Sequence, residues 1–307
     1  MSFGEKLMSI PKWALYLVLI IFASVPLFVP IKVPNKPIEP AIDLYGMLMK
    51  VPEGSTVLLA SDWTKSTRGE SNGSFDALVK ILMRRNVKLA IYSSGDPQAP
   101  QVARDAIGVL NMERKAKGQK TYDRWNDWVT VGFFPNAEAC ANAIANNVRS
   151  AFSGRTENTP EGTKRDVFQS PVLQNINKVS DFSMMVVITA SKTSNITIER
   201  VYGKGVDLAM MVTGVMGPEA LPYYSSGQIE GLAVGLKGVY DLEQLMESGI
   251  TPEMKSAKWG VVPGFPGESN IGNGSRYYPT LHVCLLLLII AVTVGNVGTF
   301  LTRRKAK

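Results

Sequence analysis

The sequence predicts an α/β fold of Rossmann-like type, a mostly parallel sheet with flanking helices. This exported domain is carried between an N-terminal and a C-terminal transmembrane helix. Three observations predict it. Short apolar runs alternate with helical periodicities through residues 42–248. The runs are continuous rather than alternating, as expected of strands buried on both faces in a parallel sheet. Two long uncharged stretches bracket the region, each able to cross a bilayer.

Residues 1–12 form an N-terminal tail. Trp13 to Ile31 (WALYLVLIIFASVPLFVPI) carries no charge and lies between Lys12 and Lys32. At about 1.5 Å per residue it reaches about 28 Å as a helix, enough to span. A cleaved signal peptide is the alternative; the length of the run and the lack of an Ala-x-Ala-like site favour a retained helix over 13–31. Pro26 should kink it, with Ser24 placed to satisfy a freed carbonyl. Residues 32–41, with Pro34, Pro37 and Pro40, read as a Pro-rich linker, extended at about 3.1 Å per residue.

In the domain itself, strands are expected at Thr56–Ser61, Val87–Ser93, Val129–Phe134, Met184–Ala190 and Leu208–Thr213. Helical spacing occupies Ser74–Arg85, Pro100–Lys117 and Asn136–Phe152, and Ser71, Asn72 and Gly73 read as a turn and cap before the first. Strand and helix alternating in this way define the fold class. In GQIEGLAVGLKG, Gly227, Gly231 and Gly235 recur every four residues. They would line one bare face of a helix continuing to Met246, suited to tight packing on the sheet or to docking a partner.

Residues 249–278 are rich in Gly and Pro. Like the first linker, they form either a stalk or a loop lying along the domain. The second span covers 279–302, with Leu281–Leu301 uncharged; Tyr277 and Tyr278 precede it as an aromatic belt. Gly295 and Gly298, beside Thr299, offer a small-residue surface for helix association. Residues 303–307 form a basic tail.

The net charge is +7, and five of those charges lie in the two tails: Lys6 and Lys12 against Glu5, then Arg303, Arg304, Lys305 and Lys307. The basic balance therefore reports membrane topology. The positive-inside rule puts both termini in the cytoplasm and 42–248 outside, in a cell membrane. No aromatic and basic residues interleave in the manner of an RNA-binding sheet, so nucleic acid is not an expected partner. Cys140 lies in the domain and Cys284 in the second span, so no internal disulfide is expected and an ordinary core must hold the domain. Sequons occur at Asn72, Asn195 and Asn273; they matter only in a host that glycosylates exported proteins.

The only histidine is His282, at the mouth of the second span. Ser-His-Asp and Cys-His catalysis and His/Cys zinc sites thus have no basis in the domain. No phosphate-binding Gly-x-x-x-x-Gly-Lys-Ser/Thr loop occurs and no Gly-x-Gly-x-x-Gly follows a strand. Oxygen chemistry at strand ends remains, where open α/β sheets bind ligands. Asp62, Asp96, Ser191 and Thr213 occupy such ends. In LLASDWTKSTRGES, Asp62-x-Thr64-x-Ser66 resembles the Asp-x-Ser-x-Ser motif of von Willebrand factor A-type domains. The resemblance implies a divalent cation, Mg²⁺ or Ca²⁺, on these hard oxygen ligands. The later Thr and Asp that complete that site have no counterpart here. The rival reading makes the loop a helix start, with Asp and hydroxyl side chains capping amides and Arg68 and Glu70 paired or solvated.

The preferred expectation is a non-enzymatic, membrane-anchored accessory or structural subunit of a membrane protein complex, acting with other subunits or as a homo-oligomer and needing no cofactor. Alternatives are a cation-dependent adhesion or ligand-binding module centred on Asp62, and an exported hydrolase using Asp62 or Asp96 as base.

Overall fold

A computed structural model of the chain describes residues 9–29, 31, 33–254 and 258–305. Both tails reach outside this range, including Glu5, Lys6 and Lys307, on which part of the charge argument rests. The chain divides into two compact units, one of residues Lys36–Gly274 and one made from its two ends.

In the second unit, helix α1 covers Lys12–Phe28, 17 residues with Pro26 inside. It is an apolar helix of about 25 Å, shorter than the expected span over 13–31, because Val29 is already extended at φ −117° and ψ 117°. The Ser24 hydroxyl donates to the Ile20 carbonyl at 2.7 Å, two residues before the Phe22 carbonyl that Pro26 leaves free. Among the described residues, one helix is long and apolar enough to cross a membrane: the C-terminal α10, Asn273–Lys305. Along it, Thr299 and Thr302 donate to the carbonyls of Gly295 and Gly298 at 3.0 and 2.8 Å.

The larger unit is built on one parallel sheet. In chain order it comprises α2 (Glu39–Lys50), β1 (Thr56–Asp62), α3 (Arg68–Arg84), β2 (Lys88–Ser93), α4 (Ala99–Ala116), β3 (Trp128–Phe133), α5 (Ala137–Asn146) and α6 (Val148–Ala151). A short antiparallel pair follows, β4 (Thr156–Asn158) with β5 (Lys164–Asp166). Then come β6 (Met184–Thr189), α7 (Asn195–Val201), β7 (Leu208–Val212), α8 (Gly217–Ser225), β8 (Gly231–Val234) and α9 (Gly235–Ser248). The six-stranded sheet runs β3-β2-β1-β6-β7-β8 with every pairing parallel. This is the 3-2-1-4-5-6 order of Rossmann-like folds.

The continuous apolar runs have a direct cause, since successive side chains leave a strand on opposite faces. Val57 and Leu59 join a core with residues of α2, α3, α4 and α9. Leu58 and Ala60 join a second core with residues of α5, α6, α7 and α8. With helices on both sides, every strand position has to be apolar.

Three local expectations are corrected. Helix α3 begins at Arg68, so Ser71, Asn72 and Gly73 lie within it rather than in a turn before it. The Asn136–Phe152 helix is broken at Asn147, whose extended backbone (φ −160°) ends α5 while its side chain accepts from Ser150 N to start α6. The glycine-spaced stretch is not a helix. Gly227 sits in a turn at φ +74°, Gly231 opens β8, and Gly235 starts α9 at φ +54°. A Cβ on Gly231 would lie 2.6 Å from the Leu44 Cα. The glycine thus serves close packing, but of an edge strand against α2.

Both flanks of the domain lie along it and converge on α9. Asp241, fully buried there, accepts from the Ile38 N–H at 3.2 Å and from the Lys237 ammonium at 2.5 Å, which also donates to the Lys36 carbonyl. Glu243, two residues further along α9 and on nearly its opposite side, accepts from the Gly274 N–H at 2.9 Å. Residues 258–272 fold over α2: the Trp259 indole donates to Asp43 at 2.7 Å and Tyr45 donates to the Pro263 carbonyl at 3.0 Å.

Candidate functional site

The chain fills one half of the sheet from β1 outward through β2 and β3, then crosses to β6, β7 and β8 on the other side. The carboxyl ends of β1 and β6 therefore flank the switch point, where such sheets open a crevice. Asp62 is the last residue of β1 and pairs in register with Thr189, the last of β6. This places the first candidate of the sequence at the centre of the sheet's ligand position.

Asp62 is 6% exposed, and its carboxylate is heavily used. Oδ1 accepts from the Ser93 hydroxyl and the Ser94 amide at 2.8 Å and from the Gly95 amide at 2.9 Å. Oδ2 accepts from the Ser194 hydroxyl at 2.9 Å. Ser194 also stands 2.8 Å from the Thr189 hydroxyl, which itself donates to the Ser191 carbonyl at 3.1 Å. One side chain thus joins three strand ends. Gly95 permits this, because a Cβ there would come within 3.0 Å of the Asp62 Cβ.

The other predicted residues occupy the same rim but are not drawn into one constellation. The Thr64 and Ser66 hydroxyls face each other at 2.8 Å. Thr67, the residue before α3, spends its hydroxyl on the Thr64 carbonyl at 3.2 Å rather than on an amide of the helix. The expected capping by this loop takes another form: Asp62 caps the turn after β2, not the helix after its own strand. Glu70 does not pair with Arg68; its carboxylate accepts from the Gly214 N–H at 2.6 Å, tying α3 to the loop after β7. Asp96 accepts from the Gln98 N–H at 2.7 Å and shapes the start of α4. Ser191 lies 2.9 Å from the Thr193 hydroxyl. Thr213, at the tip of β7, is 8% exposed and its hydroxyl has no partner among the described residues.

Ser93, Ser94, Gly95 and Ser194 are not singled out by the sequence, although Ser93 ends a predicted strand and the others follow one within four residues, which is the one signal that could have found them. Asp62, Thr64 and Ser66 supply the oxygens that a hard cation could use here, with Asp62 already bonded through both carboxylate oxygens. Near this rim the thiol of Cys140 is buried, and burial, with the Asp62 charge adding, pushes it up to about 12. It is a core residue rather than a nucleophile. Compared with protein-family models, curated proteins and solved structures, the chain gives no match.

Proposed function

We propose that this protein is a membrane-anchored, non-enzymatic subunit of a membrane protein complex, presenting its α/β domain on the extracytoplasmic side. One observation supports this above the others. The carboxylate at the switch point, where a ligand-handling group of this fold belongs, is bonded to its own domain through both oxygens. A side chain so engaged works as a clasp between loops, which favours a presented scaffold over a reaction site.

Helix α10 is the anchor in this reading, and the basic residues at its C-terminal end favour a cytoplasmic position for that end. Helix α1, at 17 residues, is at the short end of spanning length and serves as the second membrane contact. Two apolar helices per chain are too few to enclose a transport path, so partners or further copies of the chain complete the assembly.

Gentle detergent extraction followed by native mass spectrometry tests the proposal. The expected result is a stoichiometric species heavier than the monomer; a monodisperse, partner-free monomer overturns it. The topology is tested in a Cys284→Ala background carrying Lys117→Cys on the exposed end of α4. Buried Cys140 adds no background signal. An impermeant maleimide should label intact cells, and labelling only after lysis overturns the outside placement.

A further inference from the structure

A cavity of about 580 Å³ lies far from the switch point in the sheet order, between α4 and the β4–β5 hairpin beside the edge strand β3. Its base is Glu157, 2% exposed. One oxygen of Glu157 accepts from the Thr130 N–H of β3 at 3.0 Å; the other accepts from its neighbour Asn158 N–H at 2.8 Å and from the Arg124 guanidinium. Glu157 therefore satisfies an outward amide on an open sheet edge, a group that would otherwise be left unpaired. One guanidinium suffices to neutralise that carboxylate.

The cavity holds more positive charge than this role needs. A second guanidinium, Arg104, stands 3.8 Å from the same carboxylate, and Lys164 lines the wall without an ion pair among the described residues. Asp105, the other acid of the lining, accepts from Gln101 at 2.7 Å. Each guanidinium carries five N–H donors, and the Nε groups of both Arg104 and Arg124 are buried without a partner among the described residues. Burial lowers the proton affinity of Arg104, and the charge of Arg124 lowers it further while Glu157 offsets part of the loss. A second anion would relieve that repulsion and accept from the terminal guanidinium N–H groups that Gln101 and Glu157 leave over.

We infer that this cavity binds a small ligand bearing a multivalent oxyanion, a phosphate group or clustered carboxylates, gripped by Arg104, Arg124 and Lys164. The volume falls in the range of small-molecule sites, and Gln101, Thr156 and Asn158 provide further polar contacts for the body of such a ligand. The inference does not rest on the membrane-complex reading, and loss of one leaves the other intact.

Isothermal titration of the full chain in detergent tests it, with inorganic pyrophosphate and citrate as separate probes against sodium chloride at matched ionic strength. Saturable binding of pyrophosphate, citrate or both is expected, and the probe that binds distinguishes the phosphate from the carboxylate source. Lys164→Ala, which removes no ion pair of the fold, should weaken binding about tenfold, the loss of one charge-assisted contact. The pair Arg124→Gln with Glu157→Gln removes both charges together and should weaken it further. If neither anion binds saturably, or if Lys164→Ala binds as tightly as the wild type, the inference is overturned; should the double variant fail to fold, Lys164→Ala alone decides.

Discussion

The two polar regions of the domain make opposite use of a buried carboxylate. At the switch point, Asp62 has four donors from its own chain and joins the ends of β1, β2 and β6. At the β3 edge, Glu157 is as deeply buried, but the arginines around it retain N–H groups with no partner among the described residues. Position in the fold suggests the first as the ligand site; hydrogen-bond accounting points to the second. A crevice in the expected place is therefore weak evidence of ligand binding when the carboxylate at its centre is already bonded to its own chain.

The contrast can be broken most directly at Asp62. Asp62→Ala strands four donors, one from the last residue of β2 and two from the turn after it, and should cost about 3–5 kcal/mol. That corresponds to a fall in Tm of about 10 °C for a domain of this size, measurable by thermal denaturation. A variant that melts with the wild type would show that the clasp is not structural. Gly95→Ala probes the same contact through space alone, since the added methyl group meets Asp62, and should cost about 1–3 kcal/mol. At the other region, Glu157→Gln should lose a similar amount, about 1–3 kcal/mol, yet tighten pyrophosphate or citrate binding by removing the competing charge. Asp62→Asn should create no anion binding.

A third carboxylate serves as a control on both. Asp76, on α3, accepts from Asn72 at 2.7 Å, and burial raises it to about 7, with Lys80 opposing the shift and Glu113 adding to it. Its folded affinity for a proton exceeds the unfolded one, so its contribution to stability is complete below the unfolded value near 3.8 and is lost as pH rises through about 7. Wild-type Tm should fall between pH 5 and 8 more than that of Asp76→Asn; parallel curves would remove this assignment. The smallest expected effect is that of divalent cations. Because Asp62 is already engaged, Tm in millimolar Mg²⁺ or Ca²⁺ should match Tm in chelator, whereas a cation at about ten times its Kd would add ~1.4 kcal/mol. A rise of several degrees that Asp62→Ala abolishes would restore the cation site.

The sheet was legible because burial on both faces leaves an unbroken apolar run, as in Thr56–Asp62 and Met184–Thr189, and periodicity detects that directly. Strand β8 was not, since Gly231–Val234 is short and its glycine fell into a four-residue rhythm that mimics a helix face. Helix α2 was hidden by the prolines that lead into it at Glu39. Asp62 could be placed at a strand end from the sequence, but its role could not. Its partner Ser194 lies 132 residues away, and strand order alone brings them together. The residues of the anion cavity are similarly scattered, from Gln101 to Lys164, with no local motif. Their association depends on the hairpin covering the β3 edge, and short strands such as Thr156–Asn158 leave almost no periodic trace.

The attachment of both flanks to α9 has a mechanical meaning. Tension arriving along the chain at Lys36 and Ile38 meets Lys237 and Asp241, while tension arriving at Gly274 meets Glu243, two residues further along the same helix. The attachment points Asp241 and Glu243 are about 3 Å apart along the helix axis, rather than on different strands of the sheet. The strands are thereby bypassed, and a load applied through the chain ends would test three hydrogen-bonded side chains on α9 before it reached the parallel pairing that defines the fold.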